Sequence, residues 1–432
     1  MKILFCVEFY FPSIGGAQEV VRQIAERMAA KGLDVTVATS KISARTSLRH
    51  QGVKIVEFDV SGNLVRGLRG DVGGYQSFLS KQDFDVVFFY AAQQWTFDAS
   101  WEVLKRIPGK KVLVPCGYSG LYDPAYKDYF HEIGGVLAKM DAVVYHARDY
   151  RDLKFANALG LANSVVIPNG ADIEEFERSK DFDLRLRLGA KESAFVILTV
   201  GTMTGMKGHL ELALAYAEAN FDDRHTLLIL NGNRPHASGK KSSLFSRFSG
   251  LVRSYGFRYA IRHTVKIGLI ALGFRVGKSN TIERVAADIN RQKRKKVVLV
   301  DLPRPDLVQA YLQADLFVFA SNIEYSPLVL FESAAAGLPF LTVPVGNARE
   351  IIEWTGGGEI CAAPLDSHGY THVNPEELAR HIESLAKDDA RRIEMGKRGK
   401  DAARSRFNWA HLANEYESLF VRLVAEESAT HE

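Results

Sequence analysis

The chain of 432 residues has only three cysteines, Cys6, Cys116 and Cys361, and no two of them are close in sequence. This scarcity argues against a disulfide framework and against a zinc site, and it favours a reducing, cytoplasmic setting. No stretch reaches the ~18 uncharged apolar residues that a membrane span needs. The apolar run at the N-terminus is interrupted by Glu8 and has no small-residue cleavage site after it, so it predicts a strand rather than a signal peptide. The composition therefore predicts a soluble or peripheral protein.

Sequence motifs of several common enzyme classes are also missing. The glycines after the first predicted strand lack the Gly-x-Gly-x-x-Gly spacing, and no acidic ribose partner ends the second strand, which disfavours NAD binding. There is no Gly-x-Ser-x-Gly elbow and no cluster of His, Cys and acidic residues with ligand spacing. The Asp-x-Asp sequences at 83–85 and 181–183 lie in polar approaches rather than at the carboxyl end of a strand. We therefore expect neither a metal ion nor an organic cofactor.

The sequence does contain a regular alternation of short apolar runs and helical patterns, which is typical of parallel α/β proteins. Because 432 residues exceed one ordinary core, we expect an α/β chain of two Rossmann-like, doubly wound lobes. The strands predicted for the first lobe are 3–7, 35–38, 53–58, 86–90, 111–115, 142–146 and 165–167. Those predicted for the second lobe are 195–200, 227–231, 297–300, 316–320 and 339–343. Helices are predicted over 17–31, 209–220 and 407–424, the last followed by a frayed acidic tail.

Two carboxylates eight residues apart, Glu324 and Glu332, flank a predicted strand-to-helix turn. With Ser326 as N-cap and Pro327 as the first helical residue, the pattern predicts a helix that Gly337 terminates. Glu324 then lies in the loop and Glu332 in the second helical turn. Free N–H groups at a helix start bind phosphate, and carboxylates accept hydrogen bonds from sugar hydroxyls. The turn therefore has the groups that a nucleotide-sugar pocket requires.

In each lobe, one glycine-containing loop follows the first predicted strand. Gly15 and Gly16 open the first helix, where a ligand can approach the backbone closely, although a plain tight turn has the same sequence. The loop from Gly201 to Lys207 and Gly208 could hold a diphosphate through the lysine, although it lacks the P-loop register and a surface lysine in a turn is the alternative.

Taken in order, these motifs resemble the retaining glycosyltransferases of family 4, which have the two-lobed B-type fold. The motifs that carry the resemblance are Gly15-Gly16, Pro168-Asn169-Gly170, Gly201 to Gly208, Glu324 to Glu332 and Asn408-Trp409. The resemblance covers nearly the whole chain apart from about 236–296. It implies two lobes facing a central cleft: an acceptor-binding lobe over 1–168 and a nucleotide-sugar-binding lobe over 169–404. A helix over 405–432, with its tail, would cross back to the first lobe.

The resemblance also implies roles for individual residues. Glu332 would bind the nucleotide ribose and Glu324 the hydroxyls of the donor sugar, next to the catalytic position. Lys207 would bind the diphosphate and help catalysis by stabilising the leaving group. The other residues with an implied place in the donor site are Gly15, Gly16, Gly201, Thr202, Ser326, Pro327 and Leu328, with Asn169 as a further possibility.

Two residues depart from the family pattern. Thr202 stands where members usually have arginine, so we expect Arg234 or Arg304 to supply the missing phosphate contact. Cys116 stands near the place where members usually present a histidine to the donor sugar, although the strand end at Tyr90 is another match for that place. These departures keep open a non-catalytic member that binds nucleotide sugar or a partner enzyme.

The positive charge of the chain is concentrated in one segment. Residues 234–296 contain 16 Lys and Arg against two acidic residues, a net +14, and since the whole chain carries +4 the rest carries −10. Basic residues among aromatic and aliphatic ones suit an anionic membrane surface, so we expect 240–295 to dock there. A solvated loop or an oligomer contact is the alternative, and RNA binding is disfavoured because no recognition module accompanies the charge.

These observations lead to one functional hypothesis and its rivals. We expect a cytoplasmic enzyme, peripheral on the inner face of the plasma membrane, that moves a hexose from a nucleoside-diphosphate sugar to a lipid-linked or lipopolysaccharide-type glycan. The resemblance implies retention of configuration, no metal, and a leaving diphosphate that helps to take the acceptor proton. Besides the non-catalytic member, a two-lobed sugar-nucleotide epimerase is the other alternative.

Overall fold

The computed structural model describes residues 1–177, 183–233, 281–366 and 369–430, with side chains up to 426. The residues outside this description include the segment 234–280, which begins with Arg234. They also include residues 181 and 182 of the Asp-x-Asp sequence at 181–183. Most of the segment 240–295, which is predicted to dock on a membrane, therefore lies outside the described residues.

The first lobe alternates strands and helices. Its strands are β1 Lys2–Cys6, β2 Asp34–Ser40, β3 Arg49–His50, β4 Val53–Phe58, β5 Val60–Ser61, β6 Arg69–Gly70, β7 Val86–Tyr90, β8 Lys110–Val114, β9 Ala142–Tyr145 and β10 Ser164–Val166. Its helices are α1 Gly16–Ala30, α2 Val72–Lys81, α3 Trp95–Asp98, α4 Lys127–Leu137 and α5 Arg151–Ala158, with 3-10 turns at Leu104–Arg106 and Pro124–Tyr126. The interior strands are buried on both faces, because helices cover both sides of the sheet.

The second lobe repeats this plan. Its strands are β11 Phe195–Val200, β12 Thr226–Asn231, β13 Lys295–Val300, β14 Leu316–Phe319, β15 Phe340–Thr342 and β16 Gly358–Ile360. Its described helices are α6 Ile173–Phe176, α7 Leu184–Arg187, α8 His209–Glu218, α9 Ile282–Ile289, α10 Arg304–Gln313, α11 Leu328–Ala336, α12 Ala348–Thr355, α13 Pro375–Lys387, α14 Asp389–Ser405 and α15 Trp409–Thr430. Side-chain capping sets the start of α13, where Asn374 accepts the N–H of Glu376 and Pro375 occupies the first helical position.

Strand order places the functional edge of each sheet. In the first lobe the order is β10-β9-β8-β7-β1-β2-β4-β3, parallel except for β3, and in the second it is β13-β12-β11-β14-β15-β16, parallel throughout. In each sheet the chain reverses its direction of growth beside the first strand, between β1 and β7 and between β11 and β14. Parallel α/β sheets bind ligands at the carboxyl ends of the strands at such a switch point.

The chain crosses between the lobes twice, and the two crossing segments lie side by side. Ala171 donates its N–H to the carbonyl of Phe407 at 2.9 Å, and Trp409 donates its N–H to the carbonyl of Ala171 at 3.2 Å. Gly170 is required there because a Cβ would lie 2.3 Å from the Phe407 oxygen. Beyond the crossing, α15 packs Tyr416 and other apolar residues into the core of the first lobe. The last helix therefore packs against the first lobe.

The structure corrects three details of the sequence interpretation. Helix α11 begins at Leu328 with Pro327 at the N-cap position, and the buried Ser326 hydroxyl has no hydrogen-bond partner, so it does not cap the helix. The terminal helix continues to Thr430, beyond the expected frayed end at 424. Strand β16 was not predicted, because its three residues begin with glycine and give no apolar run.

A further correction concerns the basic segment. Residues 281–296, which the sequence analysis counted with the insertion, contain α9 and the start of β13. Val285, Ala286 and Ile289 are buried in the core of the second lobe. Lys295 donates to the carbonyls at the end of α8, and Lys296 donates to the carbonyl of Gly189 at 2.6 Å. These sixteen residues are therefore part of the lobe itself, and two of their cations hold backbone carbonyls.

Candidate active site

The candidate site lies in the cleft where the carboxyl ends of the two sheets face each other. Tyr325 in the loop after β14 reaches the first lobe, and its hydroxyl accepts the backbone N–H of His146 at 2.9 Å. Tyr150 reaches in the opposite direction and donates its hydroxyl to the carbonyl of Glu324 at 2.7 Å. The rings of the two tyrosines are 5.1 Å apart. The loop that carries Glu324 is therefore held by residues of the opposite lobe.

Lys207 and Glu324, predicted to bind the diphosphate and the donor sugar, are in direct contact. The ammonium of Lys207 is ion-paired with Oε1 of Glu324, and Ser321 donates its hydroxyl to the same oxygen at 3.3 Å. The two charged side chains are 28% and 18% exposed. Gly208 allows this approach, because a Cβ there would lie 1.9 Å from the Ala320 carbonyl oxygen. The structure thus brings together two residues that are 117 positions apart.

Glu332, predicted to bind the ribose, accepts hydrogen bonds from two side chains of α10. Arg304 donates through Nη1 at 2.6 Å, and Tyr311 donates its hydroxyl at 3.0 Å. Arg304 also pairs with Glu175. Burial lowers the pKa of Arg304, but the Glu332 and Glu175 carboxylates raise it more, so the net shift is upward. Arg304, considered from sequence as a substitute phosphate ligand, is thus held beside the carboxylate assigned to the ribose.

The start of α11 lies between the two glutamates. Asn169, at the chain crossing, donates its side-chain amide to the carbonyl of Ser326 at 3.1 Å. The Oδ1 atom of Asn169 and the hydroxyl of Ser326 are buried and have no hydrogen-bond partner among the described residues. Leu328 packs against the core of the first lobe. Two polar atoms at this helix start are therefore buried without a partner, at the turn that the resemblance implies for the sugar and diphosphate.

The start of α1 faces this region from the first lobe. Gly15 has an extended backbone and Gly16 begins the helix, where an added Cβ would meet nothing within 4 Å. Burial raises the pKa of Glu19, but its hydrogen bonds and the charges of Arg22 and Arg304 lower it more. The influence of Arg304 on Glu19 indicates that the first turn of α1 faces the second lobe. A contact of the glycine loop with the diphosphate stays a prediction.

The ends of β7 and β8 have strained backbone. Ala91, Gln93, Cys116 and Tyr118 have φ values of 73°, 64°, 59° and 47°, which non-glycine residues rarely adopt. Burial raises the pKa of Cys116 to about 12, although a hydrogen bond with Tyr90 lowers it, so the thiol is protonated at neutral pH. The two strand ends considered for the missing histidine therefore meet in one place. Backbone strain of this kind clusters at functional sites.

His146 and Asp152 are functional candidates that sequence reasoning missed. His146 follows β9, its Nδ1 is 2.8 Å from the carbonyl oxygen of Ile167, and its Nε2 is 3.1 Å from the Tyr90 hydroxyl. Burial lowers the pKa of His146 to about 4 and raises that of Asp152 to about 6. The carboxylate of Asp152 accepts the N–H of Gly117 at 3.0 Å. His146 directly follows β9, which could have identified it, whereas Asp152 lies in the first turn of α5, where no sequence signal marks it.

Contacts at the lobe junction also involve α12. Glu350 accepts the backbone N–H groups of Arg148 and Asp149 at 2.7 and 2.9 Å. Asn347 donates its side-chain amide to the carbonyl of His146 at 3.0 Å. Nothing in the local sequence around 347–350 indicates these contacts, because they depend on the relative placement of two lobes.

A cavity of about 470 Å³ opens between the lobes next to Glu324. The first lobe contributes Tyr122, Tyr150, Arg151 and Lys154, among others, and the second contributes Glu324 and loop residues near Gly346. Its volume is in the range of small-molecule binding pockets. The site therefore has room for a ligand beside the predicted donor-sugar position.

The remaining predicted site positions are Gly201, Thr202 and Arg234. Gly201 lies close to Lys207 and Thr202 is exposed in the same loop, while Arg234 lies outside the described residues. Within the described parts of the chain, no group of three or more His, Cys, Asp or Glu side chains is placed to hold a metal ion. In the same parts, no helix is both long and apolar enough to cross a membrane.

Comparison with known proteins identifies one family model and several relatives. Residues 276–402 match the family model described as glycosyl transferases group 1. A D-inositol 3-phosphate glycosyltransferase of Corynebacterium kroppenstedtii is 28% identical over 263 residues, which cover 59% of this chain and 47% of that protein. The chain thus spans about half the length of that curated relative.

Solved structures match over nearly the whole chain. Sucrose-phosphate synthase of Thermosynechococcus elongatus superimposes with a TM-score of 0.69 at 17% identity, covering 98% of this chain and 99% of that one. The Anabaena protein Alr3699/HepE, crystallised with UDP and glucose, gives 0.67 at 15% identity, covering 98% and 100%. At such identities the likeness shows the fold.

The two Rossmann-like lobes around a cleft define the B-type fold of glycosyltransferases. Over residues 276–402 the chain is similar to the glycosyl transferases group 1. The narrower assignment to family 4 and the roles of individual site residues stay predictions.

Proposed function

We propose that the chain is a retaining, metal-independent hexosyltransferase that uses a nucleoside-diphosphate sugar. The observation that carries this proposal is the contact between Lys207 and Glu324 beside the start of α11, with Glu332 on the same helix. A cation, a helix N-terminus and two carboxylates suit a ligand that has a diphosphate flanked by ribose and hexose. All of them lie at the switch point between β11 and β14.

On this proposal the protein acts mainly by positioning the substrates and stabilising the leaving diphosphate. Lys207 and the first N–H groups of α11 would stabilise the negative charge that develops as the bond to the hexose breaks. Glu324 would bind hexose hydroxyls, and its ion pair with Lys207 favours a binding role over covalent attack. The acceptor hydroxyl would attack from the face that the diphosphate leaves, and the diphosphate would take its proton. Lys207 and the helix start would supply the positive charge that a metal supplies in other transferases.

The donor and acceptor are proposed from a structural neighbour, a relative and the charge of the chain. The structural neighbour that was crystallised with UDP and glucose supports UDP-glucose as the first donor to test. The relative named for D-inositol 3-phosphate supports a polyol or sugar phosphate among the acceptors. A lipid-linked or lipopolysaccharide-type glycan remains our proposal for the natural acceptor, because residues 234–280 contain ten Lys and Arg and no acidic residue, a net charge of +10.

Membrane docking needs its own test. The intact chain and a variant that lacks 240–275, which leaves α9 and β13 in place, would be sedimented with anionic and with neutral vesicles. Docking predicts that only the intact chain pellets with anionic vesicles and that salt releases it. Equal pelleting of both chains would reject a role for this segment at a cytoplasmic membrane face.

Single-turnover transfer from labelled donor sugar tests the proposed chemistry. Lys207→Ala should slow the step by about 10²–10³-fold, because it removes a group that stabilises the leaving charge. Lys191→Ala, which removes an exposed lysine outside the cleft, is the matched control. An unchanged rate in Lys207→Ala would contradict the assigned role.

The same assay separates the second candidate, a non-catalytic binder of nucleotide sugar. Thr202 and Cys116, which replace the usual arginine and histidine, favour that candidate. A binder would retain the donor without hydrolysing or transferring its sugar, whereas the proposed enzyme would release nucleoside diphosphate. An epimerase would instead return an altered sugar nucleotide.

A further inference from the structure

The cavity between the lobes contains an arginine, Arg151, that no acidic group of the described residues neutralises. Nε of Arg151, in the first turn of α5, donates to the carbonyl of Gly117 at 2.6 Å. Its guanidinium lies 5.3 Å from the ring centre of Tyr150 and 5.8 Å from that of Tyr122. Among the described residues, no carboxylate forms an ion pair with it. The side chain is half-buried and lines the cavity.

The other charged groups of this cavity do have partners. The ammonium of Lys154 is 2.5 Å from a carboxylate oxygen of Asp149, and Glu324 is ion-paired with Lys207. Lys207 lies outside the cavity lining, so the four charged side chains of the lining sum to zero, and Arg151 is the one of them without an ionic partner among the described residues. The two tyrosine rings and the Gly117 carbonyl restrict its position, which lowers the entropy lost when an anion binds.

We propose that this cavity is an acceptor subsite and that Arg151 binds an anionic group, a phosphate or a carboxylate, on the acceptor. The planar guanidinium can donate two parallel hydrogen bonds to such a group. The proposal rests on the sugar transfer proposed above and adds the chemical class of the acceptor. Because Tyr150 packs against Arg151 and also bonds to the carbonyl of Glu324, an anion bound here lies near the predicted donor sugar.

Equilibrium binding of labelled sugars to the full-length protein tests this subsite without requiring catalysis. Glucose 6-phosphate, glucuronate and glucose share a ring and differ in charge, so their affinities isolate the anionic group. Saturating UDP would be present, so that phosphate cannot occupy the predicted diphosphate position at Lys207. Binding of glucose 6-phosphate alone would indicate phosphate recognition, and binding of glucuronate alone would indicate carboxylate recognition.

We expect the wild type to bind at least one anionic sugar tenfold or more tighter than glucose. Arg151→Gln should remove that preference and leave glucose binding unchanged. Arg148→Gln is the matched control, because this neighbouring arginine lies over Trp354 outside the cavity. Arg151→Lys keeps the charge without the planar fork, so it should retain a preference of a few-fold, and it serves if the glutamine variant does not fold.

Either of two results would overturn the proposal: a wild type that binds both anionic sugars no better than glucose, or an Arg151→Gln variant that binds them like the wild type. The outcome is separable from that of the proposed function. A protein that binds anions through Arg151 but fails the single-turnover assay would retain this subsite and lose its assignment as an enzyme.

Discussion

The contact of Glu350 with the first lobe gives a quantitative prediction about how the two lobes are held together. Its carboxylate accepts two backbone N–H groups of the other lobe, those of Arg148 and Asp149, and the residue is only 8% exposed. Glu350→Gln keeps the shape but replaces one acceptor oxygen by an NH₂ group. One backbone N–H then faces a donor instead of an acceptor, and the other bond becomes a neutral one.

The expected loss follows from typical hydrogen-bond contributions. A bond to a charged group contributes about 1.5–3 kcal/mol, and a neutral bond about 0.5–1.5 kcal/mol. Losing one charged bond and weakening the other removes several kcal/mol in a dry environment. Because the two amides are only partly buried, water replaces part of this loss. We therefore expect Glu350→Gln to lower the free energy of unfolding by about 2 kcal/mol.

Urea unfolding followed by far-UV circular dichroism measures this loss. With a slope of about 3 kcal/mol per molar urea, the midpoint should fall by about 0.7 M. Glu353→Gln is the matched control, because Glu353 is exposed on the same helix. Equal midpoints for the two variants would refute the reasoning and would mean that this contact contributes little to the junction.

Three further predictions concern individual side chains. Burial raises the pKa of Asp152 from 3.8 to about 6, so its contribution to stability is complete below pH 4 and is lost as the pH rises through 6. Between pH 4 and 8, urea unfolding should show Asp152→Asn gaining about 3 kcal/mol of stability relative to the wild type. A difference that stays constant over this pH range would contradict the raised pKa. Desolvation raises the pKa of the partly exposed Cys116 thiol to about 12, so iodoacetamide at pH 8 should label it in denatured but not in native protein. Rapid native labelling, detected by mass spectrometry, would refute the raised pKa. Glu332→Gln should weaken nucleoside-diphosphate binding about 10–100-fold in calorimetry, since a charged acceptor for the ribose hydroxyls is lost, and unchanged affinity would remove Glu332 from the site.

The strand pattern was predictable because buried parallel strands have continuous apolar sequences. The bounds of β4, β7 and β11 agree with the sequence prediction at both ends, and most other strands differ by one or two residues. Ser-Pro is a common helix-start sequence and predicts a helix from Pro327. In the structure both Ser326 and Pro327 precede α11, which begins at Leu328. The charge pattern does not separate α9 from the basic segment before it, whereas its apolar residues Val285, Ala286 and Ile289 are buried in the core of the second lobe.

The candidate site was predictable only where a motif marks it. Lys207, Glu324 and Glu332 lie in recognisable loop and helix-start sequences, and the structure brings the first two into contact. Arg151 and Glu350 belong to ordinary helical sequences without such a signal. Their importance depends on groups from the other lobe or from distant loops, which no local pattern contains.

The sequence by itself determined the alternation of strands and helices, the two lobes and the order of the motifs along the chain, because these follow from local periodicity and turn chemistry. Only the tertiary structure decided which strand ends share a cleft, that Arg304 pairs with Glu332, and that Tyr150 and Tyr325 connect the lobes. The physical reason is that hydrogen bonds and ion pairs act over a few ångströms, whereas their partners here are separated by up to two hundred residues of chain.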